Sequence, residues 1–439
     1  MKKLADRAWL GCLLVLLREV GAFQSAVAQS VATDTISLEE RAPRDVASME
    51  QWAVGCGVQK AEGLQFYSTT GDGLDVAAMT TQDLPANSPA LFVPSGMILS
   101  SSQAQQELGR VEGAENLLNR LNEGDNIPQF YLLLKILKEY EMGSQSPYYY
   151  WLNSLPRYFS NGSQMTHYCS QCLPPLVGKL ASSERIRFSK FFQALRHVPF
   201  LSDQTKRSRK IAKWAFQVVY TRSVGAMDAF GDVKIAPMAD MFNHGTDTEI
   251  QLSYDEQGNC YGITTYDVPA GSPLRMSYGD PTNPSFLFAR YGFLDETSPA
   301  TFCKIMIPNP SQQLIDMGYD HSRMLFYKDT GGVSQEVWDV LLYQILEFDP
   351  QQQQSFYQAH MSGDSETKQS FHQHYAAETS AMLLNHVDTF LSELDTLQAK
   401  AELRRRRKSS KHPRVPLIMS HNQFVRNTFL KVREQLQYR

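Results

Sequence analysis

Short strands occur in two separate stretches of this chain, with a long helical segment between them, and this order constrains the fold more than any other feature. In residues 52–99, Gly, Pro and Asn interrupt short apolar runs, as is typical of strands. Across residues 101–220, apolar residues instead recur at helical spacing, and short strands return in residues 233–278. The pattern predicts an α+β fold in which helices interrupt one β domain.

The remaining segments set the predicted domain boundaries. Residues 1–50 contain one apolar run followed by a polar stretch without a clear period, and we interpret them as a presequence and linker. Residues 51–295 form the predicted β domain, whose helical insert covers about 101–215. Residues 296–439 are mainly helical in pattern and predict an all-helical C-terminal domain.

The charge balance and the cysteines exclude several classes of protein. The formal net charge is -4, so no basic excess exists to neutralise the phosphates of a nucleic acid. No apolar stretch is long enough to cross a bilayer, which argues against stable membrane insertion. Cys169 and Cys172 form a lone C-x-x-C without a second Cys/His cluster at zinc spacing, so we predict no metal site.

Polar and aromatic motifs are densest in residues 221–293. Tyr278 follows His244 after 34 residues, and each belongs to a short motif with its own neighbours. In chain order the motifs are G-x-G-L at 71–74, Thr221-Arg222, D-M-F-N-H at 240–244, Tyr278-Gly279 with Asn283, and R-Y-G-F at 290–293. Each motif alone is weak evidence, but together and in this order they are specific.

These motifs resemble the SET-domain methyltransferases, in the branch that contains the Rubisco large-subunit lysine methyltransferase and the actin-histidine methyltransferase. The resemblance covers residues 55–295, and residues 296–439 match only as a helical composition where the family carries its substrate-binding domain. It implies a SET-domain β fold split by a helical insert. It also implies an S-adenosylmethionine-dependent protein-lysine N-methyltransferase that acts on a non-histone protein.

Tyr278 is the residue that we expect to be catalytic. A lysine amine must be neutral when it accepts a methyl group, and aromatic surroundings favour the neutral form because they desolvate it. A phenol can orient that amine without holding it protonated, as a carboxylate would. In isolation Tyr278 would be an ordinary strand tyrosine before a glycine turn, and the surrounding motifs favour the functional interpretation.

The resemblance also implies a set of cofactor contacts. Asn243 and His244 would lie beside the adenine and amino-acid portions of S-adenosylmethionine, and the fork of the Arg222 guanidinium suits its carboxylate. A glycine allows backbone to approach a ligand closely. The expected cofactor-binding residues are Gly73, Leu74, Arg222, Asn243, His244 and Phe293.

The choice between a lysine and a histidine substrate depends on two positions. The histidine branch carries Asn and Trp where this chain has Val224 and Ala239, whereas the pocket tyrosine of the lysine branch is matched by Tyr291. We therefore expect a lysine product, with a histidine methyltransferase or a catalytically silent binding module of the same fold as alternatives. The expected substrate-binding residues are Thr221, Val224, Asp240, Tyr254 and Tyr291, of which Asp240 could equally cap a turn.

The sequence departs from the family pattern in two places. Gly271-Ser272-Pro273 stands where the family commonly has Gly-Glu, and Tyr148 stands where the insert usually has Trp. These departures predict altered loops and insert packing. The expected partner is a protein substrate, and the protein is expected to be a monomer.

The N-terminal segment has the pattern of a targeting sequence. A basic start precedes an apolar run over residues 8–17, which has the length of a signal-peptide core. Cleavage before Phe23 would give a bipartite presequence of the kind that directs proteins to plastids with extra membranes, and we expect that destination. Cleavage after Ala28 would instead indicate secretion, and an ordinary buried helix here would leave the protein in the cytoplasm or nucleus.

Overall fold

The structure of the chain is a computed structural model. It describes residues 34–225, 231–302, 307, 309–320, 323–408 and 412–437. Residues 1–33 of the predicted presequence and linker lie outside the described residues.

Strands and helices follow the predicted order along the described chain. The strands are β1 (Gln59–Lys60), β2 (Leu64–Tyr67), β3 (Ala77–Thr80), β4 (Pro89–Val93), β5 (Leu99–Ser100), β6 (Val224–Gly225), β7 (Val233–Ile235), β8 (Asn243–His244), β9 (Ile250–Tyr254), β10 (Cys260–Thr264), β11 (Arg275–Met276), β12 (Ala300–Phe302) and β13 (Leu325–Tyr327). The helices are α1 (Val46–Gly55), α2 (Ser101–Leu108), α3 (Glu112–Arg120), α4 (Ile127–Met142), α5 (Tyr149–Ser154), α6 (His167–Ser170), α7 (Pro175–Ala194), α8 (Asp203–Arg207), α9 (Arg209–Arg222), α10 (Pro284–Tyr291), α11 (Gln312–Asp316), α12 (Gln335–Ile345), α13 (Pro350–Ser362), α14 (Ser365–His374), α15 (Ala376–Lys408) and α16 (Val415–Gln437).

Strand pairing across the helical insert joins the two halves of the β domain. In a four-stranded sheet of order β1-β4-β10-β9, β4 precedes the insert and its antiparallel partner β10 follows it, with Val93 opposite Cys260. A three-stranded sheet of order β5-β7-β6 does the same, with Leu99 opposite Ile235. The predicted β domain interrupted by helices is therefore confirmed.

The helical insert supplies much of the core beneath these sheets. The apolar run predicted as a helix lies in α4, where Phe130 and Leu134 are fully buried. In α9 the side chains from Trp214 to Tyr220 are buried on every face, so this helix crosses the interior instead of lying on the surface. The helix ends at Arg222, because Ser223 is extended, and this places Thr221 and Arg222 at the start of the second β half.

Helix α10 carries the last of the motifs, and its ends follow from sequence. The Asn283 side chain accepts a hydrogen bond from the Phe286 amide, and Pro284 occupies the first turn, where no amide hydrogen is needed. Gly292 ends the helix in the left-handed conformation, with φ of 83°. This end separates Tyr291 from Phe293 by a sharp change of chain direction.

The C-terminal region is helical, as predicted, and has a separate core around Phe326, Phe356 and Phe429. It also contains an antiparallel pair, β12 with β13, that the sequence pattern did not predict. Strands of three residues are too short to show an alternating pattern. Within the described ranges, no helix is both long and apolar enough to span a membrane.

The second half of the predicted linker packs against the β domain. Ile36 and Leu38 are buried in the main core. The Asp45 carboxylate accepts a hydrogen bond from the Ser48 amide and so caps α1. This segment holds the Arg44 side chain against the interior of the domain.

Candidate active site

Two cavities meet at the end of α9 and the turn before α10. The larger has a volume of about 320 Å³ and the smaller about 170 Å³. Both are lined by Thr221, Arg222, Asp240, Tyr278 and Tyr291, which therefore form a partition between them. All five were predicted site residues, and they come from four separate motifs.

Tyr278 is held rigidly in this partition. Its hydroxyl donates a hydrogen bond of 2.7 Å to the Phe242 carbonyl, and its ring centroid lies 4.7 Å from that of Tyr291. Burial, opposed by the Arg222 charge, raises the pKa of Tyr278 well above its usual value. The phenol is therefore neutral at physiological pH, and its oxygen is free to accept a further hydrogen bond, since its own proton is already donated.

Arg222 and Asp240 form a buried ion pair in the same partition. The Arg222 Nη1 atom lies 3.0 Å from Asp240 Oδ2 and 2.7 Å from the Asp240 carbonyl oxygen. Asp240 Oδ2 also accepts a hydrogen bond of 3.2 Å from the Trp151 indole. Arg222 Nε and Asp240 Oδ1 are buried without a hydrogen-bond partner among the described residues. A buried pair with one donor and one acceptor left over can bind a polar ligand without rearrangement.

A second guanidinium, that of Arg44, lines the larger cavity. Its Nε donates to the Ser154 carbonyl at 2.7 Å, and its Nη1 donates to the Leu74 carbonyl at 3.3 Å. Burial, followed by the neighbouring Arg222 charge, lowers its pKa, although Asp240 partly offsets this. Two guanidiniums, those of Arg44 and Arg222, and two carboxylates, those of Asp240 and Asp75, line this cavity, so it offers contacts for an anionic group without a net positive charge.

Asn243 and His244 point to opposite sides of β8, as successive residues of a strand do. Asn243 lines the larger cavity, and its Nδ2 donates to the Val76 carbonyl at 3.2 Å. The His244 ring lies behind it, with its centroid 5.6 Å from that of Tyr278.

His244 positions the backbone of the catalytic candidate. Its Nδ1 accepts a hydrogen bond of 3.1 Å from the Tyr278 amide, so the proton of the neutral ring lies on Nε2, 3.4 Å from Asp295 Oδ2. Burial lowers the pKa of His244 more than Asp295 raises it, which keeps the ring neutral. The histidine therefore acts as an acceptor behind Tyr278.

The remaining predicted residues near the site lie in the cavity walls or in an adjoining loop. Phe293 lines the larger cavity and Val224 the smaller one. Gly73 and Leu74 lie in the adjoining loop, where the following residues, Asp75 and Val76, line the larger cavity instead.

Tyr254, at the end of β9, is not among the residues that line either cavity. The Lys234 ammonium lies 5.1 Å from the centroid of its ring. Burial raises the pKa of Tyr254 well above its usual value.

Two residues of the site escaped the sequence analysis. Arg44 lies in the segment predicted as a linker, and its only signal was an isolated basic residue before a helix cap. Trp151 lies three residues after Tyr148, which stands where the family usually has Trp, and the wholly buried indole contacts Asp240. Among the described residues, no group of three His, Cys, Asp or Glu side chains could hold a metal ion.

Comparison with known proteins identifies the fold. No family model matches the chain. A SET domain-containing protein 4 from Artemia parthenogenetica is 34% identical over 99 residues, which cover 20% of this chain and 25% of that protein. The chain thus matches about a quarter of the length of this curated relative.

Solved structures match over a much greater length. A crystal structure of the SET domain of LSMT bound to lysine and AdoHcy has a TM-score of 0.61 at 14% identity, covering 90% of this chain and 91% of that one. The chain has the SET fold of Rubisco LSMT. Rubisco LSMT bound to sinefungin and monomethyllysine matches with a TM-score of 0.60 at 14% identity, over 90% of this chain and 92% of that one. Rubisco LSMT bound to AdoMet matches with a TM-score of 0.58 at the same identity and coverage. Because the match covers 90% of the chain, it extends from the β domain into the helical C-terminal region, and the resemblance drawn from the motifs is confirmed for the fold.

Proposed function

We propose that this chain is an S-adenosylmethionine-dependent protein-lysine N-methyltransferase that acts on a non-histone protein. The observation that carries the proposal is the pair of cavities that meet at Tyr278. Two reactants that approach from opposite sides of one fixed hydroxyl can be aligned for direct transfer between them. The solved structures with the same fold contain AdoMet or AdoHcy, and some also contain lysine or a methylated lysine.

The larger cavity suits the cofactor. S-adenosylmethionine carries a carboxylate, and the buried Arg222 and Arg44 guanidiniums would hold it, with the unpartnered Arg222 Nε as a further donor. Asn243 would pair with polar edges of the adenine, since its side chain reaches the same cavity. The residues present therefore fit the cofactor.

The smaller cavity suits the acceptor lysine. Val224 and Met276 give it apolar wall, and Tyr278 and Tyr291 give it aromatic wall. This apolar and aromatic surface disfavours an ammonium ion and so favours the neutral amine, while Arg222 and Asp240 in the same wall are paired with each other. The Tyr278 oxygen accepts a hydrogen bond from that amine and directs its lone pair through the partition. When bound, S-adenosylmethionine supplies an electrophilic methyl group, which leaves sulfur as the new bond to nitrogen forms.

The product is expected to be methyllysine. Val224 and Ala239 offer no hydrogen-bonding side chain that could orient an imidazole ring. A cell extract is incubated with the purified chain and tritiated S-adenosylmethionine, and the labelled band and residue are identified by mass spectrometry. Methylhistidine as the only product would indicate a histidine methyltransferase. Cofactor binding without any labelled product would favour a silent binding module.

Substitution of Asn243 by Ala should weaken cofactor binding by about 1–3 kcal/mol, because it leaves a buried polar edge of the ligand without its partner. Calorimetry on the full chain measures the change. The control is Asn427→Ala, which removes an exposed amide that pairs with Gln423 in α16. Unchanged affinity in the Asn243 variant would remove this residue from the cofactor site.

We also propose that residues 1–50 direct the protein to a plastid, which would suit a protein that resembles the Rubisco methyltransferase. The segment fused to a fluorescent protein should label plastids, and Phe23→Ala should divert the fusion to the endomembrane system. Fluorescence in the culture medium or spread through the cytosol would contradict this destination.

A further inference from the structure

A cluster of four cations lies on the face formed by α7, the first turns of α9 and the segment before α16. It consists of Arg185, Arg209, Lys213 and Arg414, and we call it the basic cluster. Arg209 and Lys213 lie over the same ring, at 4.8 and 5.9 Å from the Phe188 centroid, and the charges of Arg185 and Arg414 also act on Lys213. Within the described part of the chain, none of the four has a carboxylate within ion-pair distance, and their partners are neutral groups.

The lack of acidic partners sets this cluster apart from nearby cations. On α7, Lys190 contacts Glu123 at 2.8 Å. On α8, Lys206 contacts Asp203 at 3.1 Å, and at the start of α9 Lys210 contacts Glu39 at 2.9 Å. Basic residues that neighbour the cluster along the sequence are thus paired with carboxylates, whereas no described carboxylate pairs with the cluster itself. Groups kept in mutual repulsion commonly mark a functional surface, because the fold alone does not benefit from them.

Neutral contacts hold the three guanidiniums of the cluster in place. Arg185 donates to the Met165 carbonyl and to Ser170 Oγ, at 3.2 and 2.8 Å. Arg209 lies 4.8 Å from the centroid of the Phe188 ring. Arg414 donates to the Phe159 carbonyl at 2.7 Å and lies over another aromatic ring. Cations fixed in this way lose little entropy when they bind an anion.

Lys213 has the most unfavourable surroundings of the four. Burial, followed by the charges of Arg209, Arg414 and Arg185, lowers the pKa of its ammonium to about 8. An anion bound at the cluster would reverse this effect and raise the pKa again. The cost of holding Lys213 charged is therefore recovered when a negative partner binds.

We propose that the basic cluster is the docking site for an acidic segment of a partner protein. The Phe188 ring is buried and the Tyr158 ring carries the Arg414 guanidinium, so the cluster does not present a row of free aromatic rings on which nucleic-acid bases could stack. The cations are anchored to separate groups on three elements, which suits a chain of carboxylates better than one small ion. Arg414 lies over the ring of Tyr158, a residue that lines the larger cavity, so the docked segment would lie beside the active site.

Binding of a fluorescent ten-residue glutamate peptide to the full-length protein tests the proposal by anisotropy, with a ten-residue glutamine peptide for comparison. The double variant Arg209→Gln/Lys213→Gln should bind the acidic peptide at least about tenfold more weakly than the unmodified chain. Lys206→Gln/Arg207→Gln removes the same charge from paired residues beside the cluster and should change affinity by less than about twofold. Neither measurement depends on methyl transfer.

Two further readouts separate the cluster from general charge attraction. The affinity should fall between pH 7 and pH 9 as Lys213 loses its proton, since the three arginines stay charged there. Lys213→Arg should keep the affinity and lose this pH dependence. Equal weakening in both double variants, equal binding of the glutamine peptide, displacement by inorganic phosphate at constant ionic strength, or tighter binding of single-stranded DNA would each overturn the proposal.

Discussion

Replacement of Tyr278 by Phe should lower kcat by about 100-fold or more while the protein still folds and binds its cofactor. The change removes only the hydroxyl that would orient the acceptor amine, and loss of one such preorganised group commonly costs two to three orders of magnitude. The ring contact with Tyr291, at 4.7 Å, would persist. Loss of the bond to the Phe242 carbonyl should destabilise the fold by about 1–3 kcal/mol.

The measurements are single-turnover methylation with the substrate found by labelling, and calorimetric titration with the cofactor. A matched control is Tyr261→Phe, because this tyrosine of β10 also loses one hydroxyl contact, to Asp255, but lies outside both cavities. A near-normal kcat in Tyr278→Phe would move the catalytic role to another residue. Weakened cofactor binding in the same variant would indicate a structural role instead.

Replacement of Gly292 by Ala should destabilise the protein by about 2–5 kcal/mol. A Cβ atom here would lie 2.5 Å from the Asn161 amide nitrogen and 2.6 Å from the Ser160 carbonyl carbon, both of which are backbone atoms that cannot rotate away. The left-handed φ of 83° adds about 1–2 kcal/mol for any residue with a Cβ, and crowding adds about 1–3 kcal/mol. Because Gly292 joins Tyr291 to Phe293, methylation should fall as well.

Gly271→Ala is the matched control, since its φ of 85° is nearly the same but a Cβ atom at this position would have no other atom within 4 Å. It should cost only about 1–2 kcal/mol, the conformational part of the effect. Urea denaturation of both variants gives the difference that is due to crowding. If the two variants lose the same stability, the backbone of Gly292 or Asn161 can move enough to accommodate the added methyl group.

The residues that meet in the partition were predictable because their motifs are compact and specific. Arg222, Asp240 and Tyr278 each lie in a short motif, and the order of those motifs matched a family in which the three belong to one site. The split of the β domain was predictable for a similar reason, since strands resume after a long helical segment. Both inferences depend on order along the chain, which a sequence displays directly.

Side-chain direction was harder to predict than location. Asn243 and His244 are neighbours in one motif, yet strand alternation sends only Asn243 into the cavity. Tyr254 was predicted to bind substrate, but it lies near Lys234 and lines neither cavity. Arg44 could not be found from the motifs. Its place in the site depends on contacts with Leu74 and Ser154, which are distant from it in the sequence.

Asn161 begins an N-x-S sequon, yet in the folded protein it is not available to receive a sugar. Its side chain is 1% exposed, and its amide donates to the Gln217 side chain and, at 2.9 Å, to the Arg290 carbonyl. Glycan transfer in a secretory compartment would have to precede folding. A sugar on Asn161 would prevent this residue from packing against the Gly292 backbone. The practical consequence is a choice of host: bacterial cytoplasm, which lacks this modification, suits production of the native fold.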